Sequence, residues 1–545
     1  MGRNSFLLLC VFVLTVITAS AQENRYMVFF RDKAKSPFNI RNPEEYLSQR
    51  AIERRLKQKI QINNQDLPVS NQYIESLRKI EGVSVFFESK WFNGVLIEAD
   101  QSLIPTIEAL SNVKNVEFVA PGKRLNSFSA RVSLPDREVI EEVTNITNAL
   151  QNNMLGIDEM HELGYTGSGI LLAVFDAGFI GTNFSPYFSR IYDQEKILAA
   201  YDFVENGKDI YKYDDHGTSV LSTISAYYED VYIGTAPDVD LILCVTEDYP
   251  TEYRIEEYNW VFAAEYADSI GVDIINTSLG YNKFSVPYDA EMDYTIEDMD
   301  GNTTVITKAT DIAASKGILC VVSAGNEGSN SWGRLVAPAD ADTVLSVGAV
   351  DEALQHSSFS SIGPTADNRI KPEVSALGVG TKLIGWDGLL TSGKGTSYAA
   401  PLIAGLAAGV WQAFPDLNNV ELIELIKQGS SQYLNPDNML GYGVPDFREI
   451  LSDITSLEDD LPDDKFKVYP NPVKNHRLYV EVIEKADYLN IDIIDLSGKK
   501  VFEYYTDRQI GNVRHELDLK AIPTGIYILN ISSGPNLGKV KLLIP

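Results

Sequence analysis

Cysteine is scarce. The 545 residues hold three, Cys10, Cys244 and Cys320, too few for a disulfide framework to carry the stability of a chain this long. Cys244 and Cys320 sit in apolar runs, Leu241 to Val245 and Ile318 to Val322, that have the pattern of buried strands. Free thiols acting as small core residues are therefore expected there in preference to a pair between them. Positive charge is short as well: 46 Lys and Arg face 76 Asp and Glu, a formal net charge of -30. Gly156 to Ile450 alone carries about 44 acidic against 15 basic side chains. That balance argues against nucleic acid as a partner. It fits a solubilising face on an extracellular domain, with an acidic, substrate-selecting surface as the alternative.

Long apolar runs are missing too, except at the start. Arg3, the run Phe6 to Ile17 and the small-x-small pattern Ala19-Ser20-Ala21 ahead of Gln22 form a removable signal peptide, residues 1–21. No later segment approaches the roughly 20 apolar residues of a membrane-spanning helix, so no transmembrane segment is expected in the mature protein.

What is present is 44% hydrophobic and 10% aromatic content, enough for several folded domains. Residues 22–150 mix strand-like Tyr26 to Phe30, a helical stretch Pro43 to Lys59, and apolar runs at Val83 to Phe87 and Gly94 to Glu98, the pattern of a small α+β domain. From 151 to 455 short apolar strands (Ile170 to Phe175, Asp240 to Val245, Val272 to Asn276, Ile318 to Ser323) alternate with helix-length segments (Glu252 to Ile270, Val305 to Lys316, Ser397 to Phe414). Such alternation predicts an α/β domain, a doubly wound parallel sheet with helices on both faces and its site at the carboxyl ends of the strands. The acidic stretch 456–464 is a linker, and 465–545, with strand-like runs punctuated by Asn471-Pro472, Ser497-Gly498 and Pro523-Thr524-Gly525, predicts a small all-β sandwich.

Four segments of the middle domain carry chemistry. Asp176 follows the strand Leu171 to Phe175 and precedes Ala177-Gly178; His216, one of five histidines, stands before Gly217 and a helix-like run. Ser397 follows Gly393-Lys394-Gly395-Thr396 and opens an Ala/Gly-rich helix, where a nucleophile's own amide would face a developing oxyanion at the positive helix end. Asn326 lies in the Gly-flanked turn Ser323-Ala324-Gly325-Asn326-Glu327-Gly328. Singly, each is also what a turn, a helix start or an N-cap would show. Together they supply the nucleophile, base, orienting carboxylate and oxyanion donor that acyl transfer needs.

The four motifs, in the order Asp, His, Asn, Ser, resemble those of the subtilisin-like serine peptidases, the subtilases, from about Gly156 to Leu451. The resemblance implies a serine endopeptidase acting on protein or peptide substrates through an acyl-enzyme. Ser397 would be nucleophile, His216 general base and acid, Asp176 its orienting carboxylate, and Asn326 with the Ser397 amide the oxyanion site. Ser278-Leu279-Gly280 and Ser323-Ala324-Gly325 would form opposite walls of a roomy, apolar specificity pocket. Two departures stand out: Ala177 replaces the usual hydroxyl residue, and Ser219 stands where a second histidine is common. No cofactor or metal is implied by these motifs. The insertion Tyr281 to Asn302, with Asp298-Met299-Asp300-Gly301-Asn302, hints at a structural calcium loop without completing its pattern.

By position, the segment before the catalytic domain resembles a subtilase propeptide, which implies a folding aid and inhibitor cut away between Lys123 and Asn153. The tail, with Val468-Tyr469-Pro470-Asn471-Pro472 and Ile494-Asp495-Leu496-Ser497-Gly498-Lys499, resembles C-terminal sorting domains of type IX secretion. It implies the type IX machinery as partner and passage through the periplasm and outer membrane of a Gram-negative bacterium to the medium or cell surface. The alternatives are an adhesive or sugar-binding sandwich for the tail, a binding protein without turnover for the whole, and a narrow processing enzyme in place of a digestive one.

Overall fold

The computed structural model describes residues 23–34, 36–122, 138–139, 148–248, 251–284 and 292–455, and in the tail 465–474, 476–483, 487–495, 500–507, 513–523, 525–534 and 536–544. The signal peptide, the linker 456–464, the Ser497-Gly498 turn and most of the expected maturation window lie outside the described residues.

Seven parallel strands form the centre of the chain: β1 (Leu171–Asp176), β2 (Ile197–Asp202), β3 (Asp240–Val245), β4 (Ile274–Thr277), β5 (Leu319–Ser323), β6 (Leu345–Val350) and β7 (Val374–Leu377). They lie in the order β7-β6-β5-β4-β1-β3-β2, so the chain switches direction across β1 after β3. Strand side chains alternate between faces, and both faces here are apolar, as a covered parallel sheet requires. Leu172 and Val174 enter one core with helices α1 (His216–Ser225) and α4 (Thr396–Ala413). Leu171, Ala173 and Phe175 enter the other with α2 (Arg254–Ile270) and α3 (Val305–Ser315). Asp176, two residues beyond Val174, falls on the α1 side. Helix α4 is buried almost all round, and its glycines fit it there: a methyl on Gly405 would lie 1.8 Å from Thr235 Oγ1. Cys244 and Cys320 are both free and buried in the second core.

The N-terminal domain is a four-stranded antiparallel sheet in the order Val83–Ser89, Gly94–Asp100, Glu23–Phe30, Val113–Pro121, backed by helices Asn71–Arg78 and Ile104–Glu108, while helix Gln49–Lys57 lies against α2. It docks on the α2 and α3 side, where Met27, Trp91, Leu96 and Val119 join the second core. The tail is a sandwich: a three-stranded and a four-stranded sheet share one core, with Leu478 and Val480 from one and Ile491, Leu529 and Leu542 from the other. Asn471-Pro472 does not break the first strand as expected; it lies inside Phe466–Lys474, with the register shifting between Tyr469 and Lys474. That strand is at a sheet edge, where a missing N–H is tolerated. An unanticipated strand, Lys500–Thr506, is likewise an edge.

Beneath the N-terminal domain lies a buried charge cluster. Asp268 of α2 meets Arg54 at 2.6 Å, Arg55 at 2.9 Å and Lys90 at 3.1 Å, and Asp66 joins Arg55 to Lys316 at 3.0 and 3.3 Å. Burial works against the Asp268 charge, but Lys90, Arg55 and Arg54 outweigh it and hold the carboxyl well below the usual range. Glu265, one turn earlier, accepts Ser89 Oγ and the amides of Lys90 and Trp91. Asp268→Asn would leave Arg54, Arg55 and Lys90 short of their shared countercharge. The expected loss of docking stability is about 3–5 kcal/mol, read as a lower urea midpoint for the N-terminal domain in full-length protein carrying Ser397→Ala to prevent self-cleavage. An unchanged midpoint would show that apolar packing alone holds the domain.

Candidate active site

Asp176 ends β1 fully buried, and His216 opens α1 with Nδ1 2.8 Å from Asp176 Oδ1. The approach is possible because two residues lack side chains. A methyl on Gly217 would lie 2.4 Å from the Gly178 carbonyl oxygen and 2.9 Å from Asp176 Cβ, and one on Gly178, at φ +150°, 2.1 Å from the Lys212 oxygen. Asp214 Oδ1 accepts the His216 amide at 2.8 Å and so fixes the start of α1. Asp176 Oδ1 also accepts the Ala177 amide, while Oδ2 has no hydrogen-bond partner among the described residues; Ala177 has no hydroxyl to offer it. The His216 side chain remains 26% exposed. Desolvation opposes its charged form, but Asp176, with Asp214 and Asp215 behind it, prevails and raises the imidazole to about 9.

The first turn of α4 meets this pair. The Tyr398 ring centroid lies 5.8 Å from that of His216, which puts Ser397, the preceding and partly exposed residue, at the same edge of the sheet. Gly395 caps α4 at φ +154°, a conformation that L side chains rarely adopt. Pro401 lies inside the helix and has no N–H, so the carbonyl of Ser397, four residues earlier, loses its helical donor. Ser278 Oγ donates to that carbonyl instead, at 2.9 Å, and itself accepts Asn276 Nδ2 at 3.2 Å. Asn326, exposed after β5, accepts the Thr396 amide at 2.9 Å and hydroxyl at 3.1 Å on Oδ1, which leaves its Nδ2 group as the available donor. The structure thus gathers Asp176, His216, Asn326 and the Ser397 turn at the carboxyl edge where the strand order reverses.

The expected wall segments flank the site. Ser278 is buried, Leu279 half-buried and Gly280 exposed; Ser323, Ala324 and Gly325 are buried, and Ser323 Oγ reaches the Leu279 carbonyl at 3.4 Å. In the acidic insertion, Asp298 caps the turn at Thr295, and Asp300 accepts the Asn302 amide and Thr303 hydroxyl. Among the described residues, the carboxylates that converge are Glu247, Glu252 and Glu256, with ligand atoms within 4.8 Å of one another. Burial first, then mutual repulsion, raises Glu252 and Glu256 well above the usual range, and Tyr281 donates to Glu247 at 2.6 Å. The tying roles of Thr396, Ser278 and Tyr398 went unread, because contacts between distant segments leave no local pattern; Pro401 in an otherwise ideal helix was the one signal that a carbonyl needed an outside donor.

Residues 167–443 match the Subtilase family, peptidase S8, and the chain belongs to that family. Residues 25–135 match the peptidase S8 propeptide domain of Bacteroidota, and 467–545 the secretion system C-terminal sorting domain. These two modules mark a secreted or cell-surface protein of that Gram-negative group. Subtilisin NAT from Bacillus subtilis subsp. natto is 29% identical over 289 residues, 52% of this chain. The match spans 66% of that relative's length, just under two thirds. Subtilisin from Bacillus pumilus is 29% identical over 52% of this chain and 92% of its own. Among solved structures, MycP1 with the N-terminal propeptide removed is 26% identical at a TM-score of 0.44, covering 55% of this chain and 96% of its own. Among the described residues no helix is long and apolar enough to cross a membrane.

Ser278→Ala would strand the Ser397 carbonyl without a donor. The expected cost is about 1–3 kcal/mol, seen as a lower denaturation midpoint that Ser278→Thr, which keeps the hydroxyl, restores at least in part. Equal stability of the alanine and threonine variants would dismiss the compensation.

Proposed function

We propose that the chain is a secreted serine endopeptidase. Ser397 Oγ attacks the scissile carbonyl, His216 takes its proton and passes it to the leaving amine, and water then releases the acyl group from Ser397 by the same relay. Asp176 holds the imidazole with its proton on Nδ1, so that Nε2 is the basic nitrogen. Asn326 Nδ2 and the Ser397 amide receive the oxyanion; for such an Asn the general magnitude, taken from a subtilisin, is about 2.7–4 kcal/mol. The segment Ser278, Leu279 and Gly280, half-buried at Leu279 and exposed at Gly280, is the surface against which substrate backbone would pair. The observation that carries this reading is the 2.8 Å contact between His216 Nδ1 and a fully buried Asp176, beside the N-terminus of α4. The N-terminal domain acts as the enzyme's own inhibitor until it is cleaved away, and the tail directs export by the type IX route. Family membership, the subtilisin relatives and the matched flanking domains support each part.

The purified, processed protein is expected to digest casein and to be labelled at Ser397 by a fluorophosphonate. Ser397→Ala should lower kcat/KM by more than about a thousandfold; an unchanged rate would end the proposal. Since the base acts as neutral imidazole and the Asp176 pairing raises it to about 9, kcat/KM should climb about tenfold per pH unit and level only near that pH. Asp214→Asn, which removes a nearby negative charge, should move that limb toward lower pH. A limb at the ordinary histidine value of about 6.5 in both proteins would refute this charge balance.

A further inference from the structure

The turn that carries Ser397 is the end of a hairpin. Its strands, Val379–Ile384 and Leu390–Lys394, leave the end of β7 after Gly378 and return to Gly395, Thr396 and Ser397, with Lys382 opposite Ser392. Its base is closed by the Gly395 amide on the Gly378 carbonyl at 2.8 Å, and both of these corner residues are glycine. A two-stranded hairpin is marginal by itself, so its orientation is set by whatever bonds its edges.

Along Val379–Ile384, at the edge that no strand among the described residues covers, one side chain takes a strand's place. Gln151, in the helix Ala149–Met154 and only 1% exposed, accepts the Lys382 amide on Oε1 at 2.8 Å and donates from Nε2 to the Lys382 carbonyl at 3.3 Å. Its amide group thereby reproduces the donor and acceptor of a neighbouring peptide unit. Tyr232, fully buried, donates its hydroxyl to the same carbonyl at 2.9 Å. Both anchors are fixed to each other: Asn148 and Asn152 donate to the carbonyl of Ile233, the residue after Tyr232, at 2.6 and 2.8 Å, and Asn148 Oδ1 accepts the Ile233 amide at 3.2 Å. Two residues beyond Lys382, the Ile384 amide donates to Ser222 Oγ at 3.1 Å, and Ser222 belongs to α1, the helix that His216 opens. On the hairpin's other strand, Thr391 and Ser392 pair with Val139 and Glu138. One edge of the hairpin that delivers the nucleophile is therefore bonded both to the helix that presents the base and to a buried glutamine upstream of the whole sheet.

We propose that Gln151 is a positioning residue for acyl transfer: through Lys382 it holds the hairpin that ends at Ser397 in register with the helix that begins at His216. The inference rests on the peptidase reading above. Gln151 touches neither the substrate nor the reacting atoms; it governs how closely the Ser397 hydroxyl keeps to the imidazole. A displacement of about 1 Å at a reacting centre costs on the order of a hundredfold in rate, and because the substrate-pairing segment at Ser278 lies elsewhere, the loss falls on kcat and leaves KM unchanged. The role also requires that Gln151 stay with the enzyme, so the maturation cut lies upstream of it.

The test uses the enzyme matured from its full-length chain, its active Ser397 counted with a fluorophosphonate, and one peptide amide substrate. Gln151→Met, which keeps the length of the side chain and removes both hydrogen bonds, should lower kcat per titrated site by about tenfold to a hundredfold at unchanged KM. Gln151→Glu has the same shape and keeps an acceptor for the Lys382 amide but no donor for its carbonyl, and should lie between Gln151→Met and the unmodified enzyme. Ser222→Ala, which frees the same hairpin from α1, should show the same loss confined to kcat, and joined to Gln151→Met it should cost less than the product of the two. Should Gln151→Met fail to mature, Gln151→Glu and Ser222→Ala decide on the same criterion. Full kcat per titrated site, with only fewer titratable molecules or a lower melting temperature, overturns the positioning role and leaves the peptidase reading standing. An active mature enzyme whose first residue, by mass, lies beyond Gln151 overturns it as well. Absence of labelling at Ser397 in the unmodified enzyme overturns the peptidase reading, and the positioning role falls with it.

Discussion

Everything at the candidate site depends on how closely the start of α1 can approach the end of β1. The His216 to Asp176 contact exists only because Gly217 and Gly178 let two stretches of backbone meet where any side chain would overlap main-chain oxygen. Once that contact is made, an acid is sealed beside a ring that retains a solvent-facing edge. The low polarisability around Asp176 then does what water would prevent, keeping the imidazole's proton affinity high. The sheet contributes the rest: parallel strands covered on both faces present all their carboxyl ends on one side, so segments over two hundred residues apart in sequence share an edge.

The parts of the molecule that are local in sequence were legible in it. β1, β3 and β5 appear as apolar runs, and α2 and α3 have helical length and polarity, each within a residue or two of the observed bounds. The site residues were legible for the same reason, since each sits at the end of one such element. What could not be read is whatever depends on two distant segments meeting. Ser278 serving the carbonyl of Ser397, Thr396 anchoring Asn326, and Gln151 bonded to the main chain of Lys382 each join positions with no shared periodicity. The edge strand Lys500–Thr506 escaped notice on other grounds: its burial is only partial, so its sequence carries lysine and glutamate among the aromatics and the apolar alternation fades.

Charge is distributed with similar economy. The catalytic domain carries nearly all of the acidic excess, and much of it is exposed, but Asp268 is fully buried and meets cations from the neighbouring domain. Arg54, Arg55 and Lys90 are correspondingly buried, which basic side chains rarely are unless paired. Neither surface is comfortable alone: one would keep Asp268 without its cations, the other Arg54 and Lys90 without Asp268, and both would lose the apolar packing that Met27, Trp91 and Leu96 make with the second core.

If the connecting peptide is cut, as the proposed function has it, that mutual dependence changes character. While the two domains are one chain, their encounter is intramolecular and the local concentration of one beside the other is fixed by the tether. After scission the same interface is bimolecular, and its occupancy follows the total amount of protein in the surrounding volume. For a molecule carried out of the cell, dilution into the medium would on that reading favour separation of the two domains, and the Asp268 cluster is among the contacts that separation must break.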